Sequence, residues 1–177
     1  MVVVTVGGPP GSGTSTLSRL LEEALGLRYV YAGQLFRDKA RSMGLTLAEF
    51  GELCEKDQGY DRELDDMMMD IARKGDVILE GRMTGPLCHL HAVESFKVYV
   101  DANPFVRAER VLERDGGTLE EVVSMMRERE ESEIQRYREY YDIDPRERKY
   151  YDMVIDSSEL SPPEELKMVL GGLQRAK

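Results

Sequence analysis

The chain opens on Val2-Val3-Val4-Thr5-Val6, a β-branched run with no polar alternation, the pattern of a strand covered on both faces. A Gly/Pro/Ser loop follows from Gly7 to Gly13. Leu17, Leu20, Leu21 and Ala24 then recur at helical spacing, and Gly26 marks the end of that helix. Strand, glycine loop and helix together open an α/β unit. The alternation continues. Residues 28–31 predict a second strand, and 34–42, 46–56 and 62–73 predict three helices. Strands are predicted at 76–79, 96–100 and 153–155. Helices are predicted at 104–114, with Pro104 suited to a first turn, at 118–140, long and highly charged, and at 163–173, with Ser161 as a possible N-cap. Five short strands separated by helices predict an α/β fold, one doubly wound parallel sheet with helices on both faces. The helical stretches at 33–73 and 114–149 are longer than a crossover requires and read as mobile flaps on a single domain.

Length and charge narrow the picture. A chain of 177 residues fits one domain with a sizeable core, and 41% hydrophobic with 33% charged residues is a soluble, globular composition. The net charge of −10 argues against a general nucleic-acid or acidic-membrane surface, since both require a basic footprint. If the ligands are anions, arginines must be gathered locally to meet them. Cys54 and Cys88 make no disulfide framework, so a reducing, cytoplasmic setting is expected. No signal peptide is expected, and no apolar run approaches the roughly 18 residues that span a bilayer. Cys88-His89-Leu90-His91 lacks a second ligand set for a metal and reads as a loop or short helix beside the site. Met67-Met68-Met69 reads as core and flap filler.

The loop carries the first chemistry. Gly8-Pro9-Pro10-Gly11-Ser12-Gly13-Thr14-Ser15 lies between strand and helix. In that context glycines let backbone N–H groups turn inward around a phosphate, and the helix N-terminus adds unpaired donors and its dipole. The Ser15 hydroxyl stands at the usual magnesium-binding position. One position departs from the pattern: Thr14 stands where a lysine is expected, between Gly13 and Ser15. Either an arginine elsewhere supplies the missing charge or the loop is an inactive relic.

Arginines are the second signal. Arg37 lies one turn inside the helix after Tyr31-Ala32-Gly33 and can fork onto a phosphate, although this segment alone reads better as an ordinary surface arginine. Leu79-Glu80-Gly81-Arg82 leaves the carboxyl end of the third strand, where open α/β sheets bind ligands, and Arg82 is expected to touch a substrate phosphate or base. Asp61, in Asp61-Arg62-Glu63-Leu64-Asp65, is either a helix N-cap or part of a nucleotide site. Arg107, Arg110 and Arg114 follow the fourth strand. Arg127, Arg129, Arg136 and Arg138 share the long helix with Glu128, Glu130, Glu131 and Glu133, a pattern that is usually a solvated face.

Taken in order, these segments resemble the cytidylate kinases of archaeal type, a P-loop nucleoside monophosphate kinase family. The resemblance is carried by Gly8 to Thr16, Ala32-Gly33 with Phe36-Arg37, Asp61 to Asp65 and Glu80-Gly81-Arg82. Arg107-Ala108-Glu109-Arg110, Arg129-Glu130, Ser132-Glu133, Arg136-Tyr137 and Tyr151 to Ser158 continue it, so that it covers nearly the whole chain. It implies a P-loop NTPase-type core with a nucleoside monophosphate-binding flap at 33–73 and a lid at 114–145. It implies transfer of the γ-phosphoryl group of ATP to CMP or dCMP with Mg2+, in a cytoplasmic monomer with no nucleic-acid or membrane partner. Archaeal-type members resemble this chain in carrying Thr at the position of Thr14. By the same resemblance, Gly8, Pro9, Pro10, Gly11, Ser12, Gly13, Thr14, Ser15 and Thr16 bind ATP, and Ser15 also binds the metal. Ala32, Gly33, Phe36, Arg37, Asp61, Arg62, Asp65, Gly81 and Arg82 bind the monophosphate. Arg129 and Arg136, with Arg82, act on the transferred phosphoryl group. An adenylate or thymidylate type of kinase, or a nucleotide-binding regulatory protein without turnover, are the alternatives.

Overall fold

The β-branched opening run does form the central strand. The computed structural model describes residues 1–176. Its five strands are β1 (Val3–Gly7), β2 (Arg28–Tyr31), β3 (Val77–Glu80), β4 (Phe96–Asp101) and β5 (Met153–Asp156). All pair in parallel, in the order β2-β3-β1-β4-β5. Every residue of β1 is buried, as expected for a strand with neighbours on both edges and helices on both faces.

The period-two geometry of a strand sorts the core. Val4, Val6, Ile78, Val98, Val100 and Ile155 pack with Leu17 and Leu21 of α1 (Thr14–Leu25) and with Val169 and Leu173 of α8 (Pro162–Arg175). Val3, Val77, Leu79 and Val30 point the other way. They meet Met68, Met69 and Ala72 of α4 (Gly59–Lys74) and Leu87 and Cys88 of α5 (Thr84–Leu90). Of the methionine triplet, Met68 and Met69 are therefore core, while Met67 is exposed.

The two long helical stretches each hold a small apolar cluster of their own. Between β2 and β3 lie α2 (Ala32–Ser42), α3 (Leu47–Lys56) and α4, joined around Ala40, Phe50 and Cys54. After β4, α6 (Pro104–Asp115) and α7 (Leu119–Tyr141) pack through Ala108, Val111, Val122 and Met126. Thr46 and Thr118 close α3 and α7 with capping boxes.

One expectation needs correcting. Helix α4 starts at Gly59 behind Gln58, so Asp61 lies within the first turn and is buried there; it is not an N-cap. Of the loop or short helix expected around Cys88, the structure has the helix, α5, which begins earlier, at Thr84. Proline is accommodated in a first turn because the N–H it lacks would have had no intrahelical partner. No helix among the described residues is long and apolar enough to cross a membrane.

Glu165 of α8 is buried at 4% exposure, and burial pushes its carboxyl up to about 7 despite the nearby Arg110 charge. A carboxyl that is more basic folded than unfolded holds its proton more tightly in the native state. Its stability contribution is full below the ordinary carboxylate range and is lost as pH rises toward 7. Glu165→Gln is expected to match the wild type near pH 5 and to exceed it at pH 8 by on the order of 1–3 kcal/mol. Urea titrations at the two pH values check this, and equal differences at both would place the Glu165 proton elsewhere.

Candidate active site

Strand register assembles the site. In β3, Glu80 lies beside Val6 of β1 and Tyr31 of β2, so the carboxyl ends of three neighbouring strands meet where the glycine loop begins. The loop from Gly8 to Gly13 then turns tightly. Gly11 (φ 78°) and Gly13 (φ 97°) adopt left-handed backbone, and a Cβ on Gly8 would collide with the Val100 carbonyl. Ser12 is buried, and its hydroxyl donates to the Pro9 carbonyl at 2.8 Å. In contrast to α3 and α7, α1 has no side-chain cap at its N-terminus. Its first N–H groups are left for a ligand, and an anion is the ligand they favour.

Arginines hold this loop from behind. Arg110 donates to the Gly11 carbonyl at 3.3 Å, to Ser157 Oγ at 2.9 Å and to the Ser157 carbonyl at 2.7 Å. Ser157 Oγ in turn donates to the Ser12 carbonyl at 2.7 Å. Arg107 Nη1 reaches the Pro10 carbonyl at 3.3 Å and Glu130 Oε1 at 2.6 Å. With its carbonyls pinned outward, the loop presents its N–H groups to the opposite side.

Thr14 and Ser15 converge on one carboxylate. Thr14 Oγ1 and Ser15 Oγ donate to Glu80 Oε1 at 2.8 and 2.7 Å, and the Tyr29 hydroxyl donates to Glu80 Oε2. Burial, reinforced by the bond to Glu80, holds the Tyr29 phenol above its ordinary range. Glu80 is 3% exposed. Hard oxygen donors beside a phosphate loop suit magnesium, which keeps most of its shell as water and phosphate oxygens. No cluster of three or more His, Cys, Asp or Glu that could hold a metal is present among the described residues. Thr14 thus turns its hydroxyl toward Glu80, so any positive charge on the phosphates comes from another element.

The sequence-predicted acceptor residues fall into two groups. Gly81 and Arg82 follow β3 directly, and a Cβ on Gly81 would come within 2.9 Å of Ala32 Cβ. The Arg82 side chain is 18% exposed and pairs with Glu133 of α7, whose Oε1 also accepts from Arg129 Nε at 3.0 Å. Burial, with the Arg129 charge adding to it, pushes the Arg82 guanidinium down to about 10. The two guanidiniums thus share the Glu133 carboxylate, Arg129 from the more exposed side. Arg37 lies nearer the surface. It hydrogen-bonds Gln34 at 3.0 Å and stacks 5.0 Å from the centre of the Tyr31 ring, which itself closes over Gly33. Phe36 faces inward against Phe50, ring centres 4.6 Å apart, and holds α2 onto α3. Thr16 is exposed on α1.

Asp61, Arg62 and Asp65 are all taken up by α7. Asp61 Oδ2 accepts from Arg136 Nε at 3.0 Å, and each of the two side chains is 9% exposed. Burial raises the Asp61 carboxyl, and Arg136 opposes that rise. Arg62 reaches the Tyr140 carbonyl at 3.4 Å. Asp65 accepts from the Tyr141 hydroxyl at 2.8 Å, and burial pushes its carboxyl up to about 7. Arg129 and Arg136 therefore lie one on the Arg82 side and one on the α4 side of the same α7 face. Sequence reasoning gave no role to Glu80, Glu133 or Tyr29. The available signal was a carboxylate ending the all-apolar run Val77-Ile78-Leu79.

The cytidylate kinase-like family model matches residues 3–159. The chain belongs to that family. Among its relatives, the cytidylate kinase of Methanopyrus kandleri is 43% identical, over 92% of this chain and 88% of that one. The cytidylate kinase of Methanothrix thermoacetophila is 38% identical over 99% and 100%. The same fold recurs among solved kinases. Shikimate kinase from Acinetobacter baumannii in complex with shikimate superposes with TM-score 0.64 at 15% identity, covering 100% of this chain and 95% of that one. A gluconokinase from Sinorhizobium meliloti gives TM-score 0.63 at 20% identity, covering 99% and 93%. At those identities the likeness concerns the P-loop kinase fold. The five-stranded order and glycine loop of this cytidylate kinase-like chain fit it.

Proposed function

We propose that the chain transfers the γ-phosphoryl group of ATP to CMP or dCMP, giving ADP and CDP or dCDP, with Mg2+, as a cytoplasmic monomer. The observation that carries this reading is an uncapped glycine loop whose Ser15 is bonded to the buried Glu80 at the carboxyl end of β3, with Arg82 two residues further on; the buried Arg136 of α7 supports it. It is supported by the names of the relatives, which match the chain along nearly its whole length.

Transfer between two phosphates needs no general base, because the acceptor is already anionic above its second pKa of about 6. The task is to bring two anions together, aligned and dry. N–H groups of Gly11 to Ser15 hold the donor phosphates. Ser15 and Glu80 would hold magnesium, which supplies charge neutralisation on the phosphate oxygens. Arg82 and Arg37 fix the acceptor phosphate, and Arg129 and Arg136 close over the transferred group. In this reading the segment 33–73 is the acceptor flap and 114–145 the lid. The lid arginines supply the charge that Thr14 lacks, and closure keeps water from the γ-phosphate.

A coupled assay with ATP, magnesium and each nucleoside monophosphate tests the reading. CMP and dCMP are expected to exceed AMP, UMP and dTMP in kcat/KM by at least about tenfold, as hydrogen-bonded base recognition allows. A preference for AMP or dTMP would move the chain to another acceptor. ATP binding without product from any monophosphate would make it a non-catalytic nucleotide sensor.

A further inference from the structure

The α7 carboxylate of Glu133 sits where a ligand anion is expected. Its side chain is 11% exposed, facing Arg82 through one oxygen and Arg129 through the other. A helix whose sequence reads as a solvated Glu/Arg face has turned this one glutamate inward, onto the two guanidiniums that crowd each other beside Gly81. Among the described residues Glu133 is the one carboxylate in contact with both guanidiniums; Glu130 acts on Arg82 only from farther off and is itself engaged by Arg107. A phosphate monoester carries about −1.5 to −2 at neutral pH and three acceptor oxygens. It matches two guanidinium forks better than a carboxylate does.

We propose that Glu133 is a resident stand-in for the acceptor phosphate. It holds Arg82 and Arg129 in position until the acceptor arrives, and a dianionic phosphate group displaces it. Glu133 is thus a positioning and specificity residue, which makes the terminal phosphate a condition of binding. This rests on the reading of Arg82 as a phosphate ligand. It also bears on how a chain of net charge −10 binds anions: four arginines are each paired with a carboxylate, Arg82 and Arg129 with Glu133, Arg136 with Asp61 and Arg107 with Glu130.

A resident occupant lowers apparent affinity by the fraction of molecules it closes. If Glu133 closes nine in ten, its neutralisation tightens binding about tenfold. Calorimetric titration of CMP and of cytidine into wild type, Glu133→Gln, Glu133→Asp and Arg82→Gln tests this. Glu133→Gln is expected to bind CMP about tenfold more tightly, with cytidine unchanged, and inorganic phosphate is expected to follow CMP. Glu133→Asp keeps the charge on a shorter arm and is expected to show a smaller gain; it also serves if the Gln variant folds poorly. A merely structural glutamate would weaken CMP and cytidine together. Unchanged or weaker CMP binding in both Glu133 variants, with Arg82→Gln impaired toward CMP, overturns the stand-in and leaves the phosphate site. Undiminished CMP binding by Arg82→Gln overturns the phosphate site itself.

Discussion

Glu80→Gln is expected to lower turnover on CMP by about 100-fold or more and to raise the magnesium concentration needed for half-maximal rate, within the range seen when a preorganised charge is removed from a transfer site. Gln has the same shape and can still accept the hydroxyls of Ser15 at 2.7 Å and Thr14 at 2.8 Å, so the fold is expected to survive and the lost charge to dominate. Tyr29 donates to the opposite oxygen and fixes the carboxylate plane, and its own burial holds that proton on the phenol. Rates measured across a magnesium series, with a melting curve to confirm folding, decide the matter. Wild-type turnover at ordinary magnesium would remove Glu80 from the machinery.

Arg136→Ala is expected to damage both folding and chemistry. The Arg136–Asp61 pair is buried, and removing one partner leaves the other charge stranded, at a cost of about 3–5 kcal/mol. Loss of a transition-state donor lowers turnover by about 100-fold or more as well. The double variant Asp61→Asn with Arg136→Gln separates the two effects. It removes both charges, Asn in the shape of Asp and Gln as a shorter neutral polar side chain, and is expected to recover most of the stability while turnover stays low. Urea midpoints and single-turnover rates on the same samples check this. Recovery of both would mean that Arg136 holds α7 in place without meeting the transferred group.

The parts of this molecule that could be read from the sequence are those where near neighbours in the chain settle the outcome. The apolar run of β1, the glycine turn and the capping threonines at 46 and 118 each depend on a few adjacent residues. The unread parts depend on distant partners. Asp61 reads from its neighbours as either a helix cap or part of a nucleotide site, and the partner that buries it lies 75 residues away. Glu133 looked like one of many solvated acids until α7 was seen docked across Gly81-Arg82. Arg37 remained ambiguous for a similar reason, since its stacking partner Tyr31 belongs to a strand end, which spacing alone cannot orient. Helix α5 reads only as a loop or short helix around Cys88, and its start at Thr84 is hidden because Gly85 and Pro86, breakers in a helix interior, are harmless in a first turn.

Helix α7 has a mechanical consequence. Its 23 residues contain no glycine or proline and form a stiff rod about 35 Å long. Near its middle Glu130 grips Arg107, which touches the glycine loop, and near its end Tyr140 donates to the Cys54 carbonyl of α3 at 2.7 Å. A stiff rod held at both points ties the glycine loop to α3, so that a shift at one contact is carried along its length to the other.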